Sequence, residues 1–99
     1  MIIEYIRYRI KATRQDDFVA AYERAQQALK ASPHCLGYDL AHCVEEPEQY
    51  ILRIEWDSQE GHLQGFRQSL QFQAFFQDVR PFFNDIEEMR HYDVTQVRS

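Results

Sequence analysis

The residues of this chain best suited to chemistry gather around its single tryptophan. Trp56 ends an alternating run, Tyr50, Leu52, Ile54, Trp56, and Asp57-Ser58-Gln59-Glu60 follows as a helix-start signal. An indole placed there can stack on a planar molecule and donate through its N–H. The plainer role is a core plug at a strand end. His62 falls within the first turn or two of the helix that begins near Ser58. An imidazole, with an ordinary pKa of about 6.5, can relay a proton from a phenol; the plainer role is an exposed helix histidine. Tyr22, Tyr38 and Tyr50 carry hydroxyls that could orient a quinol or stabilise a phenolate, or simply pack in the core. Phe66, Phe72, Phe75 and Phe76 recur at helical spacing, as core first and pocket wall second. The expectation is that Trp56 borders a cleft wide enough for a flat aromatic guest.

These side chains need elements to hold them. Residues 2–10 alternate as a strand, with Ile6, Tyr8 and Ile10 on one face and Tyr5, Arg7 and Arg9 on the other. Over residues 14–31, Phe18, Ala21, Tyr22, Ala25, Ala28 and Leu29 form a helical stripe, with Thr13 or Asp16 as its cap and Ser32-Pro33 as its end. Strands over 35–44 and 49–56 flank the turn Glu45-Glu46-Pro47-Glu48 as a hairpin. Helical segments are predicted over 58–67 and 69–79, closed by Pro81, before a last strand over 85–93. The order β-α-β-β-α-β predicts an α+β, ferredoxin-like fold: a four-stranded antiparallel sheet with helices on one face, in one domain spanning residues 1–99. The even-numbered face of the first three strands should lie under the helices. The odd face carries Ile3, Tyr5, Ile51 and Met89 beside Arg7, Arg53, Glu55, Glu87 and His91, and meets either water or a partner. Adjacent Glu87 and Glu88 should point to opposite sides of their strand.

The totals restrict the partners. A formal net charge of −5, with dispersed Lys and Arg, argues against nucleic acid or an anionic membrane. No apolar run approaches the ~20 residues of a membrane span, and a cytoplasmic location is expected. Cys35 and Cys43 sit on one strand about 26 Å apart, beyond disulfide reach. None of the four histidines falls in a metal-binding motif, so no metal or other cofactor is expected. Three isolated glycines cannot build a phosphate loop.

The pattern resembles the antibiotic biosynthesis monooxygenase family of dimeric α+β barrels over nearly the whole chain. Its carriers are Ser32-Pro33-His34-Cys35-Leu36-Gly37-Tyr38-Asp39-Leu40, Glu46-Pro47-Glu48-Gln49-Tyr50, Glu55-Trp56-Asp57-Ser58-Gln59-Glu60 and Ser69-Leu70-Gln71-Phe72. The resemblance implies a homodimer packed sheet against sheet, which would cover the odd face. It also implies cofactor-independent oxidation of a small aromatic, a quinol, phenol or anthrone, by O₂, or else a non-catalytic ligand-binding domain of the same fold. Trp56 and His62 would then be the catalytic pair, and Tyr22, Tyr38, Tyr50, Phe66, Phe72 and Phe76 the substrate-binding set. Two departures stand out. Family members commonly carry a histidine nine or ten residues after the tryptophan, where this chain has Gly65 and Phe66; His62 lies a turn earlier, and the helix carries an extra residue before Ser69. The haem-degrading branch needs an asparagine on the first strand, and the only one here is Asn84.

Overall fold

A computed structural model describes residues 1–99. Strands β1 (Ile2–Arg9), β2 (Cys35–His42), β3 (Gln49–Trp56) and β4 (Ile86–Asp93) form one sheet in the order β2-β3-β1-β4. All neighbours are antiparallel. Helices α1 (Gln15–Ala31) and α2 (Leu70–Val79) pack against each other over one face. This is the ferredoxin-like α+β arrangement that the element order requires.

Side-chain alternation decides which face is covered. Ile6 and Tyr8 from β1, and Tyr50, Leu52, Ile54 and Trp56 from β3, are buried beneath the helices. The α1 stripe, Phe18, Ala21, Tyr22, Ala25, Ala28 and Leu29, is the buried side of that helix. Phe18 is its hub, with ring centroids of Tyr8, Tyr22, Tyr50 and Phe82 at 4.8, 5.2, 5.0 and 5.2 Å. Such tilted and edge-on contacts add to the area each ring removes from water.

Neither Thr13 nor Asp16 caps α1. A 3-10 turn, Ala12–Arg14, leads into the helix, and Arg14 stands at the cap position without a side-chain bond. Asp16 and Asp17 lie inside the first turn, where they face the positive end of the helix dipole. Pro81 does not close the helical region either. It sits in the first turn of a further 3-10 segment, Arg80–Asp85, where its missing N–H costs nothing. Ser69 caps α2, its hydroxyl accepting from the Phe72 N–H at 3.1 Å.

A β-bulge corrects the reading of β4. Tyr8 pairs with Ile86 but Ile6 pairs with Met89, so β4 spends three residues where β1 spends two. The extra residue reverses the parity of the strand. Met89 and His91 therefore face inward beside Ile6 and Glu4, not outward as alternation from β1 predicts. Glu87 and Glu88 both reach Arg7, at 4.0 and 3.9 Å, instead of pointing apart. The outer-face charges form a network without His91: Arg9–Glu87 at 3.0 Å, Arg53–Glu55 at 2.8 Å and Arg53–Asp39 at 3.8 Å. Cys35 and Cys43 are free thiols. No helix is long and apolar enough to cross a membrane.

Candidate functional site

Between β3 and α2 the chain makes a π-helical turn, Gly61–Phe66. Its defining bond runs from the Arg67 N–H to the His62 carbonyl at 3.0 Å, five residues back. A π-turn holds one more residue than an α-turn, and such turns recur at functional sites. The added residue before Ser69 is thus absorbed without breaking the helix. The start is held by the Ser58 hydroxyl, which accepts from the Gly61 N–H at 2.8 Å. Two glycines let the turn lie close to the end of the sheet. A Cβ on Gly61 would stand 2.0 Å from Asp57 Oδ1, and one on Gly65 would stand 2.3 Å from the His34 ring. His34, paired through Nδ1 with Asp57 Oδ2 at 3.1 Å, fills the space that a side chain at position 65 would need.

The π-turn rotates His62 inward. Its ring lies on Trp56, centroids 4.6 Å apart and planes 17° from parallel. Trp56 Nε1 donates to Glu4 Oε1 at 3.1 Å. His62 Nε2 stands 3.5 Å from the same oxygen, and His91 Nε2 stands 3.6 Å from Glu4 Oε2. The two imidazoles meet directly, His91 Nε2 to His62 Nδ1 at 2.7 Å. Four elements thus contribute one side chain each: β1, β3, the π-turn and β4. Trp56, Glu4 and His62 are buried, while a quarter of the His91 side chain is exposed. The cluster has one route to solvent, through His91.

Burial sets the protonation. It pushes the Glu4 carboxyl above its usual range, against the pull of His91, the Trp56 N–H and Arg67. It pulls the His62 imidazole down to about 3, helped by the nearby charges of His91 and Arg67. Both shifts favour the neutral form, so the His62–Glu4 contact is a polar contact, not an ion pair. A neutral imidazole has a free lone pair and can accept a proton. Glu4 Oε2 is buried without a hydrogen-bond partner.

The predicted open cleft at Trp56 is not there. The indole is 0% exposed, one face covered by His62 and its edge met by Phe66 at 5.1 Å. The crevice beside it holds only about 20 Å³, walled by Glu4, Tyr8, Phe66, Phe72 and Met89. That is room for one water. Stacking a guest on Trp56 is therefore blocked in this arrangement, and the indole instead orients Glu4 and His62. Phe72 and Met89 are half-buried at the crevice and Arg67 lies 5.6 Å over the Phe72 ring.

The remaining predicted residues separate. Tyr22 and Tyr38 line a different hollow of about 340 Å³ between α1 and the sheet, with Val19, Gln26, Leu40 and Leu52. Tyr38 donates to Gln26 Oε1 at 2.8 Å. The hydroxyls of Tyr8 and Tyr22 bond each other, which joins the wall of this hollow to that of the crevice. Tyr50 lies at the far end of β3, about 20 Å along the strand from Trp56, stacked on His42 at 4.2 Å. Phe76 packs edge-on to Phe83 at 4.9 Å, outside the crevice lining. Sequence reasoning missed Glu4 and set His91 on the wrong face. A carboxylate on the apolar, even-numbered face of β1 was the available signal for Glu4.

Comparison with known proteins fits this geometry. The profile for antibiotic biosynthesis monooxygenases matches residues 1–78. A curated relative, the uncharacterised protein YczJ of Bacillus subtilis (strain 168), is 26% identical over 92 residues, covering 93% of this chain and 97% of its own length. The crystal structure of a candidate antibiotic biosynthesis monooxygenase from Bordetella bronchiseptica superposes with a TM-score of 0.82 at 26% identity, covering 95% of this chain and 96% of that one. A variant of SnoaB, a cofactor-independent oxygenase from Streptomyces nogalater, superposes with a TM-score of 0.78 at 11% identity, covering 97% and 94%. At that identity the likeness to SnoaB is one of fold.

Proposed function

Because the chain belongs to the antibiotic biosynthesis monooxygenase family, we propose that it oxidises a small phenolic aromatic with O₂, using His62 as the base. The observation that carries this reading is the buried Glu4–His62–His91 cluster beside an aromatic-walled crevice. A phenolate is electron-rich enough to reduce O₂ itself, so the protein need only bind it, take a proton and exclude water. For an anthrone the balance closes without another reductant: one oxygen atom becomes the new carbonyl, and the other leaves as water with the two hydrogens of the oxidised carbon. His62 takes the first proton at its unprotonated nitrogen, and His91 passes it to solvent. Trp56 is a positioning residue, holding Glu4 by its N–H and His62 by its face. The substrate enters as Phe72 and Arg67 swing outward. The outer sheet face, with Tyr5, Ile51 and Arg53, meets a second copy of the chain.

Oxygen uptake by metal-free protein given an anthrone or a dihydroxynaphthalene tests the reading. Uptake should exceed the protein-free blank, fall at least tenfold in His62→Asn and rise in Phe72→Ala, which widens the crevice. Uptake equal to the blank in wild type and in Phe72→Ala would refute it. One observation favours a second reading, a ligand-binding domain without catalysis. The α1–sheet hollow is already large enough for a small aromatic and lies away from His62. Saturable binding that is lost in Tyr38→Ala, without oxygen uptake, would select that reading.

A further inference from the structure

The Glu4, His62 and His91 donors lie within 4.8 Å of one another. We propose that they form a binding site for one divalent transition-metal ion of the zinc class. The inference does not rest on the oxidation reading. Three features of the cluster suit an ion better than a set of ordinary hydrogen bonds. First, two imidazole nitrogens face each other at 2.7 Å, yet only one proton can lie between them. Second, Glu4 Oε2 is an acceptor on a residue 2% exposed, and no donor reaches it. Third, the other oxygen of Glu4 is committed to the Trp56 N–H. His62 Nε2 also faces that oxygen at 3.5 Å. A proton on Nε2 leaves the Nδ1 lone pair free toward His91. The free donors are therefore Glu4 Oε2, His62 Nδ1 and His91 Nε2, and these three converge.

Their spacing is close to what an ion needs. Bonds of about 2.0–2.1 Å around a four-coordinate ion place neighbouring donors about 3.3 Å apart. The His91–His62 and His91–Glu4 separations, 2.7 and 3.6 Å, lie on either side of that value. A small opening of the two rings satisfies it. Two imidazoles and one carboxylate suit Zn²⁺, Co²⁺ or Ni²⁺, whereas Mg²⁺ and Ca²⁺ prefer oxygen alone. The adjoining crevice has room for one water, which is what a three-ligand site leaves for its fourth position. Trp56 acts on the carboxylate as an outer-sphere partner acts on a metal ligand, fixing which oxygen turns inward. Arg67 opposes the site, because its charge is felt at both Glu4 and His62. The Glu4 carboxylate offsets that charge once it is ionised by the ion. An ion here occupies the lone pair that His62 would use as a base, so the loaded protein should not oxidise a phenol by the route above.

The test uses untagged full-length protein, stripped with a chelator and titrated with Co²⁺ alone. The expected result is the visible ligand-field absorption of four-coordinate cobalt, saturating at one ion per chain and abolished by one equivalent of Zn²⁺. The thermal midpoint should rise over the same titration, and Mg²⁺ should do neither. His91→Gln, a quarter-exposed position that leaves the core intact, should weaken binding at least tenfold, and Glu4→Gln should do the same. His34→Gln and His42→Gln should bind as wild type does. Absence of the cobalt spectrum, or a spectrum unchanged in His91→Gln, overturns the site. So does a spectrum lost in His34→Gln or His42→Gln. None of these readouts involves oxygen uptake, so the site and the oxidation reading stand or fall separately.

Discussion

Removing either hydroxyl of the Tyr8–Tyr22 pair should destabilise the protein more than removing both. Tyr8 is 1% exposed and Tyr22 5%, and each hydroxyl has the other as its hydrogen-bond partner. Tyr22→Phe strands the Tyr8 hydroxyl in the core, at a cost of about 2 kcal/mol for an unsatisfied buried group. Tyr8→Phe strands Tyr22 at a similar cost. The double variant strands nothing and loses one neutral hydrogen bond, worth about 1 kcal/mol. In a domain of this size the single variants should lose about 10 °C of midpoint and the double about half of that. Urea unfolding followed by the emission of Trp56, buried and the only tryptophan, measures all three. Alkaline pH gives a second reading. Burial raises the Tyr8 hydroxyl to about 12 and Tyr22 well above its ordinary value, while the unfolded chain titrates at about 10. Both shifts are upward, so the stability they contribute is complete below pH ~10 and is lost as pH rises toward ~12. Each group contributes a slope of about 1.4 kcal/mol per pH unit. The double variant should lack both contributions. Costs that simply add in the double variant, or an alkaline slope unchanged in it, would refute the pairing.

Ser69→Ala removes the hydroxyl that accepts from the Phe72 N–H and should cost about 1 kcal/mol in urea unfolding, with no larger effect because the helix remains anchored by Phe75 and Val79. Trp56→Phe keeps the stack on His62 but leaves Glu4 Oε1 without its donor; a loss of about 2 kcal/mol is expected at pH 7, smaller at pH 4 where the carboxyl is neutral. In the presence of a chelator, acid should unfold wild type more readily than His62→Asn. The His62 pKa is depressed from about 6.5 to about 3, so its contribution to stability is lost as pH falls through that interval. The opposite shift of Glu4 partly offsets that loss just above pH ~4.5, so Glu4→Gln should show a steeper acid slope. Gel filtration should give a dimer that Ile51→Glu dissociates; a wild-type monomer at micromolar concentration would remove the sheet-to-sheet contact.

The fold could be read from the chain because its signals are local and agree with one another. The α1 stripe, the even-numbered faces of β1 and β3, and the hairpin between β2 and β3 each follow from periodicity over eight or more residues. The site could not be read in the same way, because two single-residue irregularities decide it. The π-turn spends one extra residue after Trp56 and thereby turns His62 onto the indole rather than along the helix surface. The β4 bulge spends another and turns His91 inward. Each insertion leaves the hydrophobic pattern nearly unchanged, since Phe66, Phe75 and Met89 still find the core. Each one nevertheless changes the direction of a polar side chain completely. A slip of one residue reverses a strand's faces and rotates a helix by about 100°. The apolar residues tolerate this because burial is non-directional, whereas a donor and acceptor must meet within a few tenths of an ångström. Glu4 was concealed for a different reason. On an apolar strand face a carboxylate reads as an exception, and only the partners brought to it by those two irregularities make it the centre of the cluster.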